Sequence, residues 1–260
     1  MKRKSQNITN KLPAAIALLA ILVFWQLAAM SGIVPHYMLP SPVAVFGAFV
    51  ANFSNIMANS VFTLQETFFG LLLGILLSFI TATVMDRFDI LNKAFSPLII
   101  ITQTIPTIAI APILVLWFGY GMAPKIVLVI LTTYFPITIG LLGGYKSVDQ
   151  ESIDLMRAMG ASRVDIFRHL KFPQALPQFF SGLKVAASYA VVGAVVAEWL
   201  GGFSGLGVMM TRMQKAYAFD AMFAIIIFIV VISLLLLLLV HVVSRAVMPW
   251  QQARIIEREK

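Results

Sequence analysis

The chain has 260 residues, 60% of them hydrophobic and 12% charged, against roughly a quarter charged in an average soluble domain. It contains no cysteine, which excludes disulfide frameworks, thiolate nucleophiles and thiolate-bound zinc. The formal net charge of +8 fits Lys and Arg gathered in the cytoplasmic loops of a membrane protein better than a nucleic-acid surface, so no nucleic-acid partner is expected.

A membrane-crossing helix needs about 20 mostly apolar residues. Six stretches qualify: 12–30, 61–85, 97–118, 125–144, 177–200 and 221–247. The expected organisation is an all-α, polytopic six-helix region over 12–247, flanked by tails at 1–11 and 248–260. The first stretch also invites a signal-peptide reading, because Lys2, Arg3 and Lys4 precede an apolar run. That run is long for a signal peptide, and Ala28, Ala29 and Met30 make a poor cleavage site, so a spanning helix is expected. Alternating the spans across a bilayer gathers sixteen of the nineteen Lys and Arg on one side and leaves only Lys125, Arg212 and Lys215 on the other. The basic side faces the cytoplasm, which places both termini there.

After the first span, Ser41 and Pro42 read as the N-cap and first residue of a short outer helix. Its Phe46, Phe49, Val50 and Phe53 share a face and predict a helix packed on the protein. In the second span Gly70, Gly74 and Ser78 recur every four residues, a pattern for close helix packing. Glu66 in its first turns reads as structural. The third span concentrates Thr102, Gln103, Thr104, Pro106, Thr107 and Pro112, and proline in lipid is tolerated where neighbours or a wet cavity satisfy the freed backbone group. It is the candidate path wall. Gln103 and Thr104 suit hydrogen bonds to a neutral polar solute, and Tyr134 and Tyr189 suit stacking on an aromatic one; hydrogen bonding between helices is the alternative for each. Lys184 is expected to snorkel towards the cytoplasm. Glu198, beside Trp199, either faces the path or an outer gate, or is a hydrogen-bonded carboxylate at the interface.

Between the fourth and fifth spans, loop 145–176 has the pattern of folded structure. Asp149 and Glu151 make an acidic first turn for a helix with Ile153, Met156 and Met159 at helical spacing, Leu155 nearby, and Gly160 as its stop. Ser162 then caps a second short helix, with Asp165 in the capping-box position and Val164, Phe167 and Leu170 on one face. Pro173 and Pro177 are expected to end it. Such a helix–turn–helix is either a knob for docking another protein or a loop packed on its own spans.

No GxxxxGK[ST] phosphate loop occurs, and His36, His169 and His241 are scattered with no HExxH or nucleophile motif, so neither a cofactor, a metal nor an enzymatic reaction is expected. An ion-coupled transporter using Glu66 and Glu198 would call for midplane charges and repeat-related broken helices, which the pattern lacks.

The loop resembles the cytoplasmic motif of permeases of binding-protein-dependent ATP-binding-cassette importers. With Gly160 on the motif glycine, Asp154 falls on its acidic position, Leu170 on its Ile, and Phe172 and Pro173 on its Leu-Pro; Leu155 and Met156 replace its two alanines. The resemblance extends through LPSP from Leu39, TIPTIAIAP from Thr104, LWFGYG from Leu116, and VVAEWLGG with GLG up to Gly207. These segments resemble the branch that imports sulfonates, taurine, nitrate and pyrimidine precursors of thiamine, and Ala197 to Ala224 is more similar to the pyrimidine-precursor permeases than to the sulfonate ones.

The resemblance implies a type I importer fold in the bacterial inner membrane, working as a pair of permease copies, with two separate ATPase subunits and an extracytoplasmic solute-binding protein. It implies ATPase docking through Asp154, Arg157, Ala158, Gly160, Ala161, Ser162 and Pro173. The implied solute is a hydroxymethylpyrimidine-type precursor, with alkanesulfonate, taurine, nitrate or a riboflavin-like solute as alternatives.

Overall fold

The computed structural model describes residues 2–32, 34, 35 and 38–250; His36 and the tail beyond Trp250 lie outside them. Among the described residues every regular element is helical. In chain order these are α1 (Lys2–Met30), α2 (Pro42–Ala51), α3 (Phe53–Arg87), α4 (Asp89–Thr102), α5 (Thr107–Phe118), α6 (Ala123–Lys146), α7 (Gln150–Ala158) and α8 (Arg163–Ile166). A π-helical turn (Phe167–Lys171), α9 (Phe172–Gly201), α10 (Leu206–Lys215) and α11 (Phe219–Val247) complete the chain.

Among the described residues, four helical stretches are long and apolar enough to cross a membrane: Phe53–Arg87, Ala123–Lys146, Arg163–Gly201 and Phe219–Val247. The expected third span is two helices, α4 and α5, bent by 99° at the break between them, and counts as a fifth only if the pair crosses as one. The expected first span is helical, but its apolar part, Ile16–Met30, falls short of a full crossing by length alone.

The bend has a local cause. Pro106 has no amide proton and pushes Ile105 out of the helical region, so the ladder cannot pass through. Turn amides and hydroxyls cover the carbonyls at the end of α4: the Thr104 amide donates to the Ile101 carbonyl at 3.0 Å and the Ile105 amide to that of Thr102 at 3.3 Å. Thr102 Oγ1 donates to the Leu98 and Ile99 carbonyls, at 2.9 Å each, and Thr104 Oγ1 to that of Ile101 at 2.7 Å.

The opposite correction applies at Pro173 and Pro177, which do not end a helix. Arg163–Gly201 runs through both. In the π turn the Phe172 amide reaches back to the Phe167 carbonyl, so Pro173 stands where the ladder changes step and its missing donor leaves little unsatisfied.

The chain divides into two compact units, 1–59 with 209–228, and 60–208 with 229–260. In the first, Trp25 donates to the Pro40 carbonyl at 3.1 Å and its ring lies 6.2 Å from that of Phe223. Ser41 caps α2 as expected, its hydroxyl accepting from the Ala44 amide at 3.2 Å. The inward face of α2 carries Val45 and Phe49, while Phe46, Val50 and Phe53 are exposed, so the expected apolar face is rotated by about one residue.

In the second unit α3, α6, α9 and α11 share a core of Met85, Ile137, Leu141, Tyr145, Phe179, Phe180, Ala186, Ala187 and Val240. Glycines allow the helices to approach. A Cβ on Gly70 would overlap Val129, and one on Gly74 would overlap the Thr133 hydroxyl. Ser78 donates to the Tyr134 carbonyl at 3.0 Å. The constant offset between Gly70–Val129 and Gly74–Thr133 shows that α3 and α6 run parallel. Between α6 and α9, Gly140 faces the Gln178 carbonyl, Gly144 faces Ala175 and Gly182 faces the Pro136 carbonyl, an antiparallel seam that the sequence pattern does not announce. Gly182→Leu has backbone on the far side and cannot be relieved by a rotamer change; overpacking of this kind costs about 1–3 kcal/mol. A drop of several degrees in the melting temperature of the detergent-solubilised protein is the expected result.

Candidate functional site

At one end of α6 and α9 lies loop 145–176. Asp149 is the N-cap of α7 rather than part of its first turn, accepting from the Ser152 amide at 2.9 Å and the Ser152 hydroxyl at 2.7 Å. These bonds hold its carboxyl below the usual carboxylate range, so the cap is charged at neutral pH and weakens only as pH falls through that lowered value. Gly160 closes α7 at φ +83°, with its amide bonded to the Arg157 carbonyl at 2.9 Å and the Ala161 amide to that of Met156 at 3.0 Å. That pair of bonds is a Schellman motif. Ser162 and Asp165 form a reciprocal capping box: the Asp165 amide donates to Ser162 Oγ at 3.2 Å, and the Ser162 amide to Asp165 Oδ2 at 3.0 Å.

One face of the loop is anchored. Val148, Ile153 and Ile166 are buried together with Met156, Ala161 and Leu170 against them. Lys171 grips Asp86 at the end of α3 through both oxygens, at 2.8 and 2.9 Å, and Phe167 lies 5.4 Å from Tyr145.

The other face is bare. Leu155 is 62% exposed, Met159 70% and Val164 72%, so Met159 and Val164 do not share the buried stripe and Ile166 takes the inward place expected of Val164. Asp154 and Arg157 pair on the surface at 3.0 Å, with Ala158, Gly160 and Ser162 exposed around them and Ala161 half-buried. Pro173 stands apart from this face. It is half-buried and lines a hollow of about 370 Å³ with Ser147, His169, Leu170, Gln174, Pro177 and Trp250.

Around the bend a cleft of about 420 Å³ is lined by Thr102, Gln103, Ile105, Pro106 and Thr107, by Leu131, Thr132, Phe135 and Pro136 of α6, and by Val185 and Tyr189 of α9. Gln103 and Tyr189, expected as path residues, meet here. Thr104 is exposed beside the cleft with its hydroxyl on its own helix, and Tyr134 packs edge-on against Phe135 with ring centroids 5.2 Å apart. The lining offers hydroxyls, an amide and aromatic faces and contains no Lys, Arg, Asp or Glu. It suits a neutral polar or aromatic guest.

Glu198 belongs to a different group of residues, at the far end from the loop. It is 1% exposed; its Oε1 accepts from Thr63 Oγ1 at 2.6 Å and its Oε2 from the Gly207 amide at 2.5 Å. Thr63 Oγ1 also accepts from the Leu206 amide at 2.9 Å. Beside it Glu66, 1% exposed, accepts from Lys125 Nζ at 2.6 Å, and Lys125 also reaches the Ser204 carbonyl at 3.4 Å. Lys125 is thus a buried partner at 5% exposure and not the loop cation expected from charge counting. The available signal was Glu66 itself: a carboxylate in the first turns of an apolar span needs a cation, and Lys125 is the one that opens a neighbouring span.

A family profile described as binding-protein-dependent transport system inner membrane component matches residues 70–249. The chain is 34% identical over 258 residues, 97% of its own length and 99% of the relative's, to the formylaminopyrimidine transport permease protein ThiX of Halalkalibacterium halodurans. To a probable ABC transporter permease protein of Haemophilus influenzae it is 40% identical over 204 residues, 78% of this chain and 83% of that one. Among solved structures, an inward-facing form of the MetNI methionine ABC transporter superposes with a TM-score of 0.63 at 20% identity, covering 74% of this chain and 96% of that one, which speaks to fold alone. With the profile spanning well over half of its length, the chain belongs to the binding-protein-dependent transport system inner membrane components, the non-catalytic permease subunits of ABC importers.

Proposed function

We propose that this permease carries an aminopyrimidine precursor of thiamine, of the hydroxymethyl- or formylaminopyrimidine type, through a path that includes the cleft at the α4–α5 bend. The likeness to ThiX over 97% of the chain carries this reading. The cleft supports it. A sulfonate, taurine or nitrate anion would call for a cationic group, and the lining has none, whereas Gln103, Thr102, Thr107 and Thr132 offer hydrogen bonds and Tyr189 and Phe135 offer aromatic faces to a flat heterocycle.

In the same reading the bare face with Leu155, Met159 and Val164, flanked by the Asp154–Arg157 pair, seats in one of two ATPase subunits. A second permease copy completes the path, a solute-binding protein delivers at the far end, and both termini are cytoplasmic. The excess of Lys and Arg on the loop side supports that orientation. Family membership sets aside the ion-coupled and enzymatic alternatives.

The deciding experiment is ATP-driven uptake into proteoliposomes holding this chain, its ATPase and its binding protein, with labelled hydroxymethylpyrimidine, riboflavin and taurine offered in turn. Accumulation of the pyrimidine alone, reduced about tenfold or more by Gln103→Leu, is expected; a tenfold factor corresponds to about 1.4 kcal/mol. Accumulation of taurine in its place would overturn the substrate reading and leave the permease role standing.

A further inference from the structure

We propose that Glu66, Lys125, Glu198 and Thr63 form a gate opened by hydration, at the end of the permease away from loop 145–176. Three spanning helices converge there on one short segment. Thr63 of α3 holds the Leu206 amide, Glu198 of α9 holds the Gly207 amide, and Lys125 of α6 reaches the Ser204 carbonyl.

The segment is shaped for this grip. Gly205 sits at φ +121°, and a Cβ there would run into the Glu198 carboxylate; one on Gly207 would meet the Val195 carbonyl and Glu198. The connection between α9 and α10 therefore lies directly on the carboxylate, with no room for any larger residue.

Charge balance defines what the cluster does. Glu198 is offset in part by the Gly207 amide in the first turn of α10, whose N-terminus carries partial positive charge, and by the Thr63 hydroxyl. Glu66 is compensated by Lys125 at 2.6 Å. Two carboxylates face one ammonium, and the excess negative charge is tied through the Thr63 hydroxyl and the Gly207 amide to the α9–α10 connection, so the arrangement works as a closure. One atom is left over: Glu66 Oε2 is buried and has no hydrogen-bond partner among the described residues.

A closure could be built more simply from apolar side chains, because a buried ion pair is no more stabilising than well-packed hydrophobic residues of similar volume. The two differ in how they open. Parting an apolar contact exposes it to water at a cost that grows with area, whereas parted ions are solvated as they separate. An ion pair at the mouth of a path is therefore a lock that water releases, and Glu66 Oε2 is the acceptor an entering water meets unsatisfied.

The gate also lies far from the docking face. Along α6, from Lys125 to Lys146, about 30 Å of helix separates the two ends at 1.5 Å per residue. The inference rests on the orientation proposed above, which puts the gate at the outer surface.

The absence of natural cysteines makes the test direct. Thr67→Cys, buried one helical turn beyond Thr63 on α3, with a hydroxyl bonded, among the described residues, only within its own helix, is reacted with a membrane-impermeant maleimide from the outer face. The complex is assembled with its ATPase and unliganded binding protein, at rest and trapped with ATP and vanadate. Labelling at least tenfold faster in the trapped state is expected. Equal rates in the two states, or no labelling in either, would overturn the gate.

Phe203→Cys, at an exposed site on the same segment, should label in both states; failure to label from that face would overturn the outer placement. A second arm uses Glu66→Leu/Lys125→Met, which removes both charges together. The double variant should co-purify with its ATPase and lose at least tenfold of its uptake, because the lock no longer responds to water. Uptake equal to wild type would show that the pair only fills space. The labelling arm needs no transported solute, so its failure is separate from any failure of the pyrimidine reading.

Discussion

Lys125→Met is expected to cost the protein about 3–5 kcal/mol, the usual penalty for stripping one partner from a buried ion pair. The substitution is nearly isosteric, so little of that penalty comes from lost packing. What it leaves behind is the Glu66 carboxylate at 1% exposure, with Oε1 deprived of its 2.6 Å donor and Oε2 without a partner to begin with. It also releases the Ser204 carbonyl from its long contact with Nζ. Glu66→Leu made in the same chain removes the stranded charge and should recover most of the loss. The measurement is thermal unfolding in detergent of the wild type, both single variants and the pair. A Lys125→Met protein melting with the wild type would mean that the pair is solvated and not buried in the folded permease. Stability and transport are expected to part company in the double variant, which is why the two must be measured separately.

The same pair shows what composition and pattern could and could not reach. Long apolar runs located α6 and α11 closely and the C-terminal ends of α3 and α9, because lipid imposes one rule on every residue of a span, but α3 and α9 begin well before the runs at 61 and 177, at Phe53 and Phe172. Charge counting treated Lys125 as loop, since it sits at the edge of a run, and only the register of α3 beside α6 shows that it is enclosed. That register was half written in the sequence. Gly70 and Gly74 announced a close approach, but the partner residues Val129 and Thr133 carry no mark of their own. Pro106 announced a bend without its size of 99°, which depends on how α4 and α5 each pack. Pro173 and Pro177 misled for the reverse reason: a π turn five residues long absorbs the break, and π turns have no local signature to read. In the loop, capping chemistry is local, so Gly160, Ser162 and Asp165 were legible to the residue. The exposed side of the two short helices depends on what the loop packs against, so Met159 and Val164 were assigned to the wrong face.

Gly160→Val is expected to abolish stable association with the ATPase while leaving insertion in the membrane intact. A Cβ at Gly160 would touch nothing within 4 Å, so no steric clash is at issue. The cost lies in the backbone. At φ +83° an L-residue pays roughly 1–2 kcal/mol, and a β-branched one more, so the turn relaxes to another conformation. The two bonds that close the Schellman motif, to the Arg157 and Met156 carbonyls, then break, and α7 changes its angle to α8. That angle sets where Leu155 and Met159 stand relative to Val164, and a docking face of three separated apolar side chains does not survive the change. Gly160→Asn keeps the left-handed conformation at small cost and should retain association within about threefold of wild type. Co-purification of tagged permease with its ATPase, measured for both variants, separates the backbone requirement from any demand for a bare surface. If the valine variant binds as well as the wild type, docking does not run through this turn. If asparagine fails as completely as valine, the ATPase reads the absence of a side chain at residue 160 and not the shape of the loop.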